Sequence, residues 1–264
     1  MNILYLGDIM GLMGIEVVEQ VLPDVVTQLY VDVVIAQGEN VDGKGMTISN
    51  MDRLLRAGVH FFSGGNHTPY LPELHSRLLD VDAPVIGPAN MTACPGRGYK
   101  YLTSSKGKVL VVSLMGSMVG SASSIEATNP LSVIDTILAS QSSAEKTAII
   151  VNFHGDFSSE KVIIGHYLDG RVTAVIGDHW HVPTADARLL PKGTAHISDV
   201  GMCGSLDSSL GVAFDSVVPR WRDGKITKNT LETTGAKQFN ALLVSTHKGS
   251  LLANSVMPIR KIVQ

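Results

Sequence analysis

Five apolar stretches of this chain end in side chains able to ligate a metal ion or move a proton. They close on Asp8; on Glu39 and Asn40; on Asn66 and His67; on His154; and on His179 with His181. In Gly64-Gly65-Asn66-His67, paired glycines let the backbone turn sharply and approach a ligand closely. Asparagine offers a carbonyl oxygen to a hard cation, and histidine ligates metals or moves protons near neutral pH. If the segment is extended, His179 and His181 point to the same side. Singly, each position has an ordinary explanation: Asp8 caps the next segment, Glu39-Asn40 is a solvated turn, His154 is a satisfied core histidine. Jointly these explanations are poor, because chance does not set so many ligand types at successive strand ends.

The donor types narrow the chemistry. No thiolate takes part, which argues against a cysteine-type structural zinc site. Oxygen and imidazole donors together suit iron or manganese, with zinc as an alternative. There are too many donors for one tetrahedral ion, and a pair of ions bridged by a carboxylate uses them naturally. Two divalent ions ~3.5–4 Å apart can hold a bridging hydroxide and clamp phosphoryl oxygens during in-line attack. A histidine just outside the metal shell suits the proton donation that the leaving oxygen then needs. His60, His75, His166, His196 and His247 lack this context and read as surface or structural residues. Lys44 reads as a solvated loop lysine, and the methionine-rich spots as packing.

Positioning such a set requires strands that run side by side. Residues 3–6, 31–36, 59–62, 108–114, 147–151 and 172–176 read as buried strands, and 85–86 as a brief one. Helices are predicted over 15–30, 48–57, 71–79, 130–140 and 158–167, with Asn129-Pro130 supplying a cap and a first-turn proline. Residues 88–98 and 115–127 read as loops, the second long enough for a site or an interface. Beyond Trp180 the pattern changes to short strands at 187–190, 194–198, 225–230, 239–244 and 256–263, with one helix within 206–217. The alternation of strand and helix predicts an α/β protein built from βαβ units. In such sheets ligand sites lie beyond the carboxyl ends of the strands, which would bring all five polar termini to one edge. With no repeat, low-complexity tract or linker, residues 1–264 are expected to form one domain.

Composition closes off several alternatives. The 264 residues carry a net charge of −3 and are 44% apolar, enough for a sizeable core and without a basic surface for duplex nucleic acid. Cys94 and Cys203 are far apart and form no Cys-x-x-Cys motif, which fits a reducing cytoplasm. The first residues lack the basic and long apolar regions of a signal peptide. No apolar run approaches the ~20 residues that span a bilayer.

Read in order, Gly7-Asp8, Gly38-Glu39-Asn40, Gly43-Lys44-Gly45, Gly65-Asn66-His67, Phe153-His154, Gly177-Asp178-His179-Trp180-His181 and Leu190-Pro191-Lys192-Gly193-Thr194 carry a family resemblance. So does Ile197-Ser198-Asp199-Val200-Gly201-Met202. The chain resembles the YmdB-like members of the calcineurin-type metallophosphoesterases over nearly its full length. The resemblance implies a four-layer αββα sandwich with a dimetal site at the strand ends. It implies hydrolysis of small phosphodiesters, 2′,3′-cyclic nucleotides above all. By motif, Asp8, Glu39, Asn40 and His181 would serve one metal, and Asn66, His154 and His179 the other, with Glu39 bridging. His67 would be the general acid, and the protein a homo-oligomer. The chain has Asp8-Ile9-Met10 where the wider superfamily has Asp-x-His, and Glu39 where it has aspartate; the narrower family shares both traits. Pro69-Tyr70, Asn152 and Pro183 depart from the narrower family as well, at positions expected to touch substrate preference and rate. Two further activities fit the same residues: a phosphomonoesterase, and a nucleotide-binding regulator of low turnover.

Overall fold

The computed structural model describes residues 1–119 and 126–264. The chain opens with β1 (Asn2–Leu6), β2 (Asp8–Ile9), α1 (Gly11–Gln28), β3 (Val33–Gln37), α2 (Ile48–Arg56) and β4 (Phe61–Ser63). A short α3 (His75–Leu79) leads to β5 (Tyr99–Ser104), β6 (Gly107–Met115) and α4 (Pro130–Ser140). Then come β7 (Ala148–His154), α5 (Ser158–Tyr167) and β8 (Ala174–Asp178). The remainder is mostly β: β9 (Arg188–Leu189), β10 (Ala195–Ile197), β11 (Met202–Ser205), α6 (Phe214–Asp223), β12 (Lys237–Thr246) and β13 (Ala253–Val263).

The described strands form two sheets. One has seven strands in the order β2-β11-β12-β1-β3-β4, with β13 paired to β12; the other has six, β5-β6-β7-β8-β10-β9. Within the first, β1, β3 and β4 run parallel. Within the second, β6, β7, β8 and β10 do the same. Alternate side chains of a strand face opposite ways, and that alternation sorts the core into layers. Leu4, Leu6, Val34 and Ala36 face α1 and α2, packing on Val18, Leu22 and Leu54. Their neighbours Ile3, Tyr5, Val33 and Ile35 face the second sheet, meeting Val109, Val111, Ile150 and Ile176. Leu110, Val112, Leu114 and Val151 turn outward onto Ile134 and Ile164 of α4 and α5. The result is the expected αββα sandwich. Strands covered on both faces read as continuous apolar runs, which is why they are visible in the sequence.

Caps match the local chemistry. Thr47 accepts from the Asn50 amide at the start of α2, and Asn129 accepts from the Leu131 and Ser132 amides ahead of Pro130. Other elements differ from expectation. The strand placed at 59–62 lies at Phe61–Ser63. The helix placed at 71–79 is α helical only over His75–Leu79, after two 3-10 turns, one opened by Pro72. Val85 makes only an isolated bridge to Phe62. The predicted strand at 225–230 is absent, and Ile226 there is fully exposed with no sheet to cover it. The helix expected within 206–217 starts later and runs on to Asp223, closed by Gly224 in the left-handed conformation. β5 and β11 carry no clear signal in the sequence, one a half-polar edge strand and the other four residues long. Part of the 115–127 loop, residues 120–125, lies outside the described residues.

Candidate metal centre

The parallel strands deliver their polar termini to one edge, as the sheet rule requires. Asp8 follows β1 after Gly7, Glu39 and Asn40 follow β3, and Asn66 and His67 follow β4. From the other sheet, His154 is the last residue of β7, and His179 and His181 follow β8. The structure brings all eight side chains together. Asp8, Glu39, Asn40, His154 and His181 are buried, while the His67 side chain is 29% exposed at the rim.

The donors fall into two groups that share one carboxylate. Around His154 Nε2 stand Asn66 Oδ1 at 2.9 Å, His179 Nδ1 at 2.9 Å and Glu39 Oε1 at 3.2 Å. The side-chain amide of Asn40 centres the other group, with Nδ2 3.1 Å from Asp8 Oδ1 and 3.2 Å from both Glu39 Oε1 and His181 Nε2. Glu39, His154 and His179 alone present three ligand atoms within 4.8 Å of one another.

Each imidazole is aimed by a partner on its far nitrogen. His154 Nδ1 donates to Asp178 at 2.7 Å, and His181 Nδ1 donates to the Leu210 carbonyl at 3.1 Å. His179 Nε2 meets Asp156 at 2.9 Å. On a neutral ring such partners fix the tautomer and leave the other nitrogen's lone pair facing inward, the usual support of a metal-bound histidine. Three acceptors then crowd His154 Nε2, where one proton satisfies them one at a time. A cation there would satisfy them together, so the residues fit a divalent metal.

Two backbone features make this packing possible. A methyl group on Gly65 would lie 2.4 Å from Glu39 Oε2 and 2.6 Å from the His154 ring, so only glycine passes there. The His179-Trp180-His181 segment is not extended. It turns, with φ of 109° at His179 and 62° at His181. Non-glycine residues held so cost about 1–3 kcal/mol each and persist only where the surroundings impose them.

Asp178 is the functional residue that sequence reasoning passes over, although it stands in view between Gly177 and His179. Its buried carboxylate accepts from the Tyr5 hydroxyl at 2.8 Å, from Gln37 at 3.1 Å, from Asn152 and from His154. Asn152, where an acidic residue is expected, therefore sits beside an acid supplied by the next strand. Asp156, Lys161 and Asp199 escape notice too; a lone acid or lysine on a turn or helix carries no signal of its own.

Burial and mutual repulsion set the proton distribution. Burial first, then the Asp178 charge, pushes the Asp8 carboxyl well up. Burial also works to raise Glu39, but the charge and hydrogen bond of His154 win and hold it at about 2. Burial opposes a charged His154, yet Glu39 and Asp178 hold its proton well above the ordinary imidazole value. Burial and the neighbouring His154 charge press His179 down to about 4, and burial lowers His181 and His67.

Two sheets back to back between helices, with oxygen and imidazole donors at the strand ends, define an α/β protein of the metallophosphoesterase type. The sequence model of the family described as YmdB-like protein matches residues 4–259, and the chain belongs to that family. It is 35% identical over 225 residues to the 2′,3′-cyclic-nucleotide 2′-phosphodiesterase of Bacillus subtilis (strain 168), covering 84% of this chain and 83% of that protein. A crystal structure of a hypothetical protein from Thermus thermophilus superposes with a TM-score of 0.89 at 32% identity, covering 99% of both chains. A phosphatase structure from Mycoplasma pneumoniae gives 0.91 at 27% identity, over 99% of this chain and 93% of that one.

A cation bound at His154 Nε2 must displace the proton held there. Since that pKa lies above the ordinary value, uptake releases a proton and affinity rises as pH increases. Calorimetric titration with Mn²⁺ in buffers of differing ionisation enthalpy checks this: net proton release is expected, and affinity unchanged across about pH 6–8 would contradict it.

Proposed function

We propose that the chain is a phosphodiesterase for small phosphodiesters, 2′,3′-cyclic nucleotides in particular, working with two divalent ions, iron or manganese before zinc. Asp8, Glu39, Asn40 and His181 would hold one ion and Glu39, Asn66, His154 and His179 the other. Bound there, the ions would activate water and neutralise charge on the phosphoryl group. The fold, the family and the kinship with the Bacillus subtilis phosphodiesterase support this reading.

The setting of His67 carries it. Its backbone N–H donates to Glu39 Oε2 at 2.8 Å, and its Nδ1 lies 2.9 Å from Asn40 Oδ1. Both bonds tie the ring to the donor cluster while no described hydrogen bond engages Nε2, which stands at the partly open rim. A proton on Nε2 is then placed for a leaving alkoxide. A half-turn of the Asn40 amide would present its oxygen to the Asp8 group, as ligation of an ion there requires.

Residues 1–264 are taken to act as one domain, since β1 near the start pairs with β12 near the end. We assign the protein to the cytoplasm, in keeping with its two unpaired cysteines; among the described residues no helix is long and apolar enough to cross a membrane. It is taken to be a homo-oligomer, supported by an exposed stripe on α6. Phe214, Val218 and Trp221 share that face at helical spacing and Ile226 follows, with Trp221 84% exposed.

Wild-type protein with Mn²⁺ should cleave bis-p-nitrophenyl phosphate and 2′,3′-cyclic nucleotides; tight nucleotide binding without turnover would favour the regulator, and preference for monoesters the phosphatase. His67→Ala should retain metal and lose about 10²–10⁴-fold in kcat on cyclic nucleotides. The loss should be smaller on bis-p-nitrophenyl phosphate, whose phenolate leaves with little protonation. Lost metal in that variant would refute the role. By light scattering, Trp221→Glu should shift the native assembly to monomer; an unchanged mass removes α6 from the contact.

A further inference from the structure

Beneath the strained turn lies an ion pair that the proposed chemistry does not use. Lys161 of α5 and Asp199, just after β10, are both fully buried, with Nζ 2.9 Å from Oδ2. A salt bridge this deep gains little net stability against its desolvation, so a bare stabilising role explains it poorly. Its contacts point elsewhere. Lys161 Nζ donates to the Asp178 carbonyl at 2.6 Å, the last peptide group before the turn. The same ammonium lies 3.9 Å from the centre of the Trp180 ring. Asp199 Oδ2 accepts from the Trp180 backbone N–H at 2.8 Å, and Oδ1 accepts from Gly201 N–H at 2.9 Å. On the outer side, Trp180 Nε1 donates to the Asp156 carbonyl at 3.1 Å, while the Asp156 side chain meets His179.

The carbonyl before the turn, the amide at its centre and the ring at its centre are thus all held by one pair of charges. Trp180 is drawn inward onto the ammonium, and the imidazoles on either side are left facing the donor cluster. We infer that Lys161, Asp199 and Trp180 form a clamp that imposes the left-handed conformations of His179 and His181 and so sets the affinity of the centre for divalent ions. They are positioning residues, acting through the two histidines. This inference rests on the reading of those histidines as ligands.

The test uses the full chain and Mn²⁺ alone. Lys161→Met leaves Asp199 buried without its counter-charge and puts the fold at risk, so the deciding variant is Lys161→Met/Asp199→Asn, which removes both charges and keeps an oxygen for the Trp180 amide. Calorimetry should show Mn²⁺ affinity at least about tenfold weaker, and hydrogen exchange across residues 178–182 should quicken. Ile134→Ala, in the outer layer between α4 and the second sheet, is the control: it should lower stability and leave Mn²⁺ affinity within about twofold of wild type. A folded double variant with wild-type affinity and exchange overturns the clamp, as does an equal loss of affinity in the control. Should the wild type itself bind no Mn²⁺, the metal assignment fails, and the exchange measurement still decides the clamp: unchanged protection of 178–182 refutes it.

Discussion

Asp8, Glu39 and Asp178 are buried within one cluster, and three carboxylates so placed cannot all be ionised without positive charge among them. Removing a carboxylate from water is costly unless it is paired. The protein by itself answers with His154, wedged between Glu39 and Asp178 and holding its proton well above the usual value. That leaves Asp8, pushed up by burial and by Asp178. A pair of divalent cations, as proposed, would resolve the conflict for every donor at once. On that reading the cluster suits charge that the chain does not carry, and its aimed imidazoles and forbidden methyl at Gly65 fit the same need.

The two sheets make the concentration of charge possible. Neither sheet could supply the set alone: Asp8, Glu39, Asn40, Asn66 and His67 come from the ends of one, His154, His179 and His181 from the ends of the other. The apolar layer from Ile3, Tyr5 and Ile35 to Val111, Ile150 and Ile176 fixes the distance between those ends. Tyr5 joins the two roles. Its ring lies in that layer and its hydroxyl reaches Asp178 across the sheets, so a core residue also steadies the carboxylate that aims His154.

Much of this is legible in the residues because burial on both faces leaves a plain signature. Residues 3–6 and 33–36, in β1 and β3, are unbroken apolar runs, and candidate ligands follow closely on both. What escapes notice depends on long-range context. β5, at a sheet edge, alternates too weakly to be read, and β11 is held by β2 and β12 and not by its own four residues. The 225–230 segment has strand-like composition and no neighbour to pair with. Asp178 looks like a spacer in a histidine motif; only its neighbours from three other strands, Tyr5, Gln37, Asn152 and His154, reveal what it does. The turn at His179–His181 is equally hidden, since Lys161 and Asp199 hold it from distant segments.

If one carboxylate, Glu39, stands between two cation sites, anomalous diffraction from crystals of the protein grown with Mn²⁺ will show it most directly. Two peaks are expected, one among Asp8, Asn40 and His181 and one among Asn66, His154 and His179, with Glu39 contacting both. A single peak, or peaks at which Glu39 takes no part, would contradict the shared-carboxylate centre.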